Sequence, residues 1–204
     1  MPINFKIGII GGSGMEDPAF ISDYSKEAVS TPYGDPSSEL IVGNIADVPV
    51  VILSRHGMEH SINPTNVNYR ANVWSLKEKG CTHILASTAV GSLRKAIEPG
   101  HIVFPDQFID FTKQRISTFY DEDKVVHTPM AEPFCQSTME ILRETATEMS
   151  IPNHCNKTII TIEGPRFSTK AESHMFRSWG ADIINMSSCP EVALAREQKI
   201  HYAA

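Results

Sequence analysis

A mixed α/β fold is predicted by two features of the sequence. Short apolar runs alternate along the chain with segments of helical period, and one pair of runs, in LIVGNIADVPVVIL, is close enough to form a hairpin. Alternation calls for strands separated by helices, and a hairpin adds antiparallel neighbours, so the sheet is expected to be mixed.

The elements follow in order. Ile7–Ile10 reads as a buried strand leading into Gly11, Gly12, Ser13 and Gly14, a turn whose backbone N–H groups suit an anion. The turn does not fit the dinucleotide pattern G-x-G-x-x-G, because Asp17 stands at its last position. It does not fit a P-loop either, because no lysine follows. A single oxyanion helped by the Ser13 hydroxyl remains, with a plain strand-to-helix turn as the simpler alternative.

Leu40–Val42 and Val48–Leu53 form the hairpin, punctuated by Gly43 and Asp47. Asn68–Lys79 is expected to be a helix, with Tyr69, Val73 and Leu76 at helical spacing and Gly80 as its C-terminal cap. Ile84–Ala86 and Ile102–Phe104 are strands. From Phe108 to Pro129 the charges and the lack of period predict a long surface loop. Glu132–Met149 is the longest helical pattern, with Ile141, Thr145 and Met149 on one side and Pro152 closing it. Ile159–Ile162 and Ile183–Asn185 are strands, and between them Lys170–Trp179 is a helix ended by Gly180. Pro190 opens a last helix, Glu191–Lys199, and His201 begins a last strand. The chain ends KIHYAA, partway into that strand, which reads as a C-terminally incomplete polypeptide; the alternative is a natural end on an edge strand.

The 204 residues suit one domain, 1–204, with an ordinary hydrophobic fraction of 41%. The net charge of −6 gives no general attraction for nucleic acid or acidic membranes, so any anion site is local. No apolar run approaches a membrane span and no signal peptide is visible, which places the protein in the cytoplasm, with the nucleus also open to it. Cys81, Cys135, Cys155 and Cys189 form no C-x-x-C pair and are expected to be reduced thiols rather than zinc ligands. His56 and His60 lie four apart, but Gly57 and the following Ile-Asn-Pro argue against the helix a metal pair would need, and no metal is expected.

Four strand ends carry the candidate chemistry. At ILSRHGMEH a strand runs into Arg55 and His56, a guanidinium fork and an imidazole suited to phosphate oxygens. The alternative is that Arg55 pairs with a structural carboxylate and His56 satisfies a turn. At ILASTAVG, Thr88 and Ala89 offer a hydroxyl and open backbone. At IEGPRFST, Phe167 is either a stacking platform for a planar base or a core aromatic, with Ser168 beside it. At IINMSSCPE stand Asn185, Met186 and Ser187, Met186 being equally a core plug. No Ser-His-Asp order and no close carboxylate pair is recognisable. Together the strand ends describe a pocket for a small phosphorylated or polyhydroxyl ligand.

The segments GIIGGSG, TPYGDPS, RHGMEHSINPTNVNYRANVWSLKEKG, TAVGSL, GHIVFPDQFID, HTPMAEPFC, TIEGPRFST and WGADIINMSSCPEVALARE closely resemble the methylthioadenosine branch of the purine nucleoside phosphorylase family. The resemblance spans essentially the whole chain. It implies a three-layer α/β/α phosphorylase fold with a central mixed sheet, assembled as a homotrimer. The reaction it implies is the phosphorolysis of 5′-methylthioadenosine to adenine and 5-methylthioribose 1-phosphate, in purine and methionine salvage. No cofactor is implied, since inorganic phosphate is the co-substrate.

Ser13, Arg55, His56, Thr88, Ala89 and Ser187 match phosphate positions of that family. His60, Phe167, Ser168, Asn185 and Met186 match nucleoside positions, as does His127, which would reach the site across a subunit boundary. The family's base-protonating aspartate would lie beyond Ala204, so no catalytic acid is assigned. Another purine nucleoside phosphorylase, or an impaired form that assembles with full-length subunits, is the alternative.

Overall fold

The computed structural model describes residues 5–11, 21–122 and 124–204. The glycine turn, Ser13 and Asp17 therefore lie outside the described residues.

The apolar run after Lys6 forms β1 (Ile7–Gly11), and the exposed SDYSKE segment forms β2 (Ser22–Glu27). The hairpin is present as β3 (Leu40–Ile45) and β4 (Val48–Ser54), paired antiparallel. Its turn is at Ala46 and Asp47, whose φ values of 45° and 66° lie in the left-handed region. Gly43, expected from the sequence to punctuate the hairpin, instead pairs with Val50 inside β3. A Cβ there would stand 2.6 Å from Ile21 Cγ2, so Gly43 admits the close approach of the segment leading into β2.

Helix α1 (Tyr69–Glu78) is capped as its sequence requires. Asn68 accepts the Ala71 N–H at 3.1 Å, and Gly80 at φ 80° closes the other end. Asn68 and Asn72 also hold the preceding TPYGDPSS loop. The Asn68 amide donates to the Tyr33 carbonyl at 2.8 Å, and the buried Asn72 amide exchanges hydrogen bonds with Ser37 at 2.8 and 3.0 Å.

After β5 (His83–Ala86) and the two-residue β6 (Gly91–Ser92) comes β7 (Ile102–Phe111), and β8 (Asn153–Ile162) pairs with it in parallel. Both are ten residues, much longer than their apolar runs. The register shifts around Pro105, which has no N–H to give the ladder, and the strand resumes beyond it as QFIDF. The irregular segment expected from Phe108 consequently starts at residue 112.

Helix α2 (Gln136–Glu148) begins four residues later than expected, after Pro133, and Ser150 at φ 56° ends it before Pro152 is reached. Its buried residues are Met139 and Ala146, while Ile141 and Met149 are 63% and 65% exposed, so the side that carries Ile141, Thr145 and Met149 is open. Helix α3 (Lys170–Ser178) has a capping box in which Thr169 and Glu172 satisfy each other's backbone N–H groups. Strand β9 (Ile183–Asn185), helix α4 (Ser188–Glu197) and strand β10 (His201–Ala203) complete the described elements. Cys189 is non-helical within α4, so regular helix begins at Pro190.

The strands divide into two sheets. Six lie in the order β10-β5-β1-β4-β3-β2 and four in the order β6-β9-β8-β7, each sheet mixing parallel and antiparallel pairs. Helix α2 packs on β10 of the first sheet and on β7 and β8 of the second, and α1 packs on α4. The main core draws on both sheets, from Ile10, Leu53 and Ile84 to Phe104, Ile159 and Ile183. Among the described residues, no helix is long and apolar enough to cross a membrane.

Candidate active site

The carboxyl ends of β1, β4 and β5 are tied together by backbone hydrogen bonds. Arg55 N–H donates to Gly11 O at 3.0 Å, and Ser87 N–H donates to Ile10 O at 2.9 Å. Arg55, which follows β4, is 1% exposed. Its Nε and Nη2 form a two-point fork on the Glu191 carboxylate at 2.7 and 2.9 Å, and Nη1 donates to the Ser87 carbonyl at 2.8 Å. Nη2 also faces the Ile10 carbonyl at 3.5 Å, leaving one Nη1 hydrogen without a partner among the described residues. The same carboxylate accepts the buried Tyr202 hydroxyl at 2.7 Å.

Burial works against the charge on Arg55, but the pull and hydrogen bonds of Glu191 outweigh it and hold the guanidinium protonated. Burial first, and then the Glu191 charge, pushes the Tyr202 phenol well up. The fork of Arg55 is thus turned toward an internal carboxylate, as the structural alternative for this residue had it.

His56 Nδ1 lies 2.9 Å from the Ile62 carbonyl, which can only accept, so Nδ1 carries the hydrogen and Nε2 keeps its lone pair. Burial lowers the His56 pKa; the bond to Ile62 opposes this, and Arg55 and His60 add to the lowering. The His60 ring, on a residue at φ 53°, stands 4.7 Å from the His56 ring.

A second set of bonds joins the two sheets. The Asn185 side chain accepts the Thr161 hydroxyl at 2.9 Å and donates to Ser188 Oγ at 2.8 Å and Thr88 Oγ1 at 3.4 Å. The Thr88 hydroxyl is thereby tethered near the start of α4, where Ser187 is the N-cap residue and makes no side-chain cap bond. Ala89 is exposed beside Thr88. Arg55, His56, Thr88, Ala89, Asn185 and Ser187 are therefore gathered at adjoining strand ends.

The remaining nucleoside positions are less enclosed. Met186 is half-buried, and a Cβ on Gly164 would come within 2.6 Å of its sulfur, so glycine at φ 73° makes room for it. Phe167 is 85% exposed, which removes the core-aromatic alternative. Ser168 Oγ bonds Ser173 Oγ at 2.9 Å. His127 is exposed and, among the described residues, makes no hydrogen bond, ion pair or ring contact, so this chain does not bring it to the strand-end group.

A cavity of about 380 Å³, lined by apolar residues such as Leu85, Phe104, Pro105 and Ile159, reaches Thr88 but none of the other candidate residues. Among the described residues no group of three or more His, Cys, Asp and Glu side chains gathers as a metal site would require.

Reading the sequence missed Glu191, Tyr202 and Arg115. An acid in the first turn of α4 is visible in SSCPE, but it also reads as an ordinary helix-dipole partner. Nothing local pairs it with an arginine 136 residues away.

The model of the phosphorylase superfamily matches residues 6–204. S-methyl-5'-thioadenosine phosphorylase of Danio rerio is 56% identical over 204 residues, covering 98% of this chain and 73% of the relative. A purine nucleoside phosphorylase of Drosophila melanogaster is 46% identical, covering 99% of this chain and 71% of the relative. Methylthioadenosine phosphorylase from Schistosoma mansoni, solved in complex with tubercidin, superimposes with a TM-score of 0.93 at 45% identity, covering 98% of this chain and 79% of that one.

Proposed function

This chain belongs to the phosphorylase superfamily, and we infer that it carries out the phosphorolysis of 5′-methylthioadenosine to adenine and 5-methylthioribose 1-phosphate. The observation that carries this reading is the Thr88–Asn185–Ser188 chain of hydrogen bonds, which ties the hydroxyl after β5 to the start of α4, with Arg55 bonded to the carbonyl of Ser87 next to Thr88. Such a corner provides donors that are set before the reaction begins, and preorganised donors stabilise developing charge most effectively.

Phosphate is taken by Thr88, Ser187, the open backbone at Ala89 and the remaining Nη1 hydrogen of Arg55, with Ser13 supplied by the glycine turn. His56, neutral at pH 7, accepts a hydrogen bond at Nε2 from the hydroxyl of hydrogen phosphate. The nucleoside lies between Phe167, which stacks on the base with Ser168 at its edge, and Met186, which faces the ribose. Asn185 holds the intervening hydroxyls in place. As the glycosidic bond to the purine nitrogen breaks, the sugar becomes cationic, the held phosphate forms the new bond to the anomeric carbon, and adenine leaves by taking a proton from water.

The chain acts as one domain and assembles as a homotrimer, in which His127 and His60 line the 5′-substituent, His127 from a neighbouring subunit. It works in the cytoplasm, with access to the nucleus, and takes phosphate as co-substrate without a cofactor.

The test is adenine release from methylthioadenosine by this 204-residue polypeptide, with and without inorganic phosphate. Release that requires phosphate is expected. Release without phosphate would mean hydrolysis, and no release from folded protein would favour a form that depends on other subunits. The likeness to a purine nucleoside phosphorylase supports a second reading with a different purine base, and faster turnover of inosine would select it.

A further inference from the structure

Arg115 lies on the irregular segment after β7, yet its side chain is 1% exposed. Nε pairs with Glu163 Oε1 at 3.2 Å, Nη1 donates to the Tyr69 hydroxyl at 2.9 Å and the Cys189 carbonyl at 2.5 Å, and Nη2 donates to the carbonyls of Glu163 and Ile162 at 2.7 and 3.4 Å. The guanidinium also faces the Tyr69 ring at 5.3 Å. Glu163 accepts further bonds from the Thr65 hydroxyl at 2.8 Å, from Gln114 N–H at 3.1 Å and from Lys113 N–H. Burial pushes the Glu163 carboxyl up, but these donors outweigh it and the net shift is downward, keeping it ionised.

Each group held in this way belongs to a segment that carries a nucleoside or phosphate position. Glu163 precedes Phe167 and Ser168, Cys189 follows Ser187, and Thr65 follows His60. The Tyr69 hydroxyl donates to the Pro64 carbonyl at 3.1 Å and lies 3.5 Å from the Met186 carbonyl. We propose that Arg115, acting through Glu163 and the Cys189 carbonyl, is the positioning residue that sets the nucleoside wall of the site, holding the Phe167 and Met186 segments in one arrangement. The proposal rests on the reaction inferred above. Lysine cannot replace arginine here, because a single ammonium cannot span the Glu163 side chain and three carbonyls at once.

The experiment compares wild type, Arg115→Lys and Glu163→Gln as full chains, varying methylthioadenosine and phosphate independently and following amide exchange in parallel. In Arg115→Lys the KM for methylthioadenosine should rise about tenfold or more while the KM for phosphate stays within about twofold, the effect of losing a few charge-assisted hydrogen bonds on one side of the site. The Lys113 and Gln114 amides should lose protection, and Glu163→Gln should shift the same quantities less. Equal rises in both KM values, or an unchanged KM for methylthioadenosine in folded protein, would overturn the proposal. If Arg115→Lys does not fold, Glu163→Gln decides by the same criteria. Failure of the wild type to release adenine would count against the inferred reaction instead. The positioning role would then be judged by exchange, with unchanged protection at residues 113–114 and 163–169 rejecting it and lost protection supporting it.

Discussion

The two walls of the candidate site are built in opposite ways. At the ends of β4 and β5, Arg55 is 1% exposed and bound to Glu191, and Tyr202 closes the same carboxylate from β10. Past the end of β8, Phe167 is 85% exposed, and its neighbour Arg166 pairs outward with Glu172. A phosphate corner gains from donors that do not move, because reorienting dipoles during the reaction costs energy. A stacking surface needs only a flat apolar face, so it can be left open until the base arrives.

Cutting the buried pair gives the largest effect that this contrast predicts. Glu191→Ala strands the Arg55 charge and should lower unfolding stability by about 3–5 kcal/mol in urea titration, whereas Phe167→Ala should stay within about 0.5 kcal/mol of wild type. Similar losses from the two would erase the distinction. In kinetics the order reverses. Phe167→Ala should raise the KM for methylthioadenosine about fivefold, from loss of stacking worth on the order of 1 kcal/mol, and leave the phosphate KM nearly unchanged. Thr88→Val should do the converse, raising the phosphate KM several-fold for one lost hydrogen bond of about 0.5–1.5 kcal/mol.

The smallest effect is a pH dependence of stability. His56 and His83 both have lowered pKa values, burial being the main cause in each, with His201 adding to it at His83. The unfolded chain therefore takes up protons first as the pH falls below about 6.5, and stability drops through that window, by at most about 1.4 kcal/mol per pH unit for each proton. Urea titrations at pH 7.5, 6.5 and 5.5 should show this decline, and His56→Asn should flatten it. An unchanged slope in that variant would mean that the corner proposed to hold phosphate is not the acid-sensitive side.

Much of the fold was legible because burial leaves a local pattern. Ile7–Ile10, Val48–Leu53 and Ile183–Asn185 were recognisable as strands, and Asn68 and Gly80 marked the ends of α1. The missed strand β2 is exposed through most of its length and carries polar residues, so it has no apolar signal. Strands β7 and β8 extend well past their apolar runs because each pairs with the other, and a partner stabilises backbone that its own side chains would not mark. The covered face of α2 was not legible for a related reason. Period shows which residues share a side, but the sheets decide which side is covered, and they cover Met139 and Ala146.

The candidate site divides along the same line. Arg55, His56, Thr88, Phe167 and Met186 could be picked out because each follows a short apolar strand, and chain continuity alone puts such residues at a sheet end. Ser13 could be picked out in the same way, though it lies outside the described residues. That Arg55 turns its fork to Glu191, that Asn185 reaches Thr88, and that Arg115 gathers Glu163, Tyr69 and Cys189 are facts of tertiary structure. These partners are 46 to 136 residues apart along the chain, and no local propensity relates them. The sequence by itself determined where strands end and which chemical groups stand there. Only the packing of the two sheets and α4 decided which of those groups are used up internally and which still face a ligand, because that choice depends on distances that exist only in the folded chain.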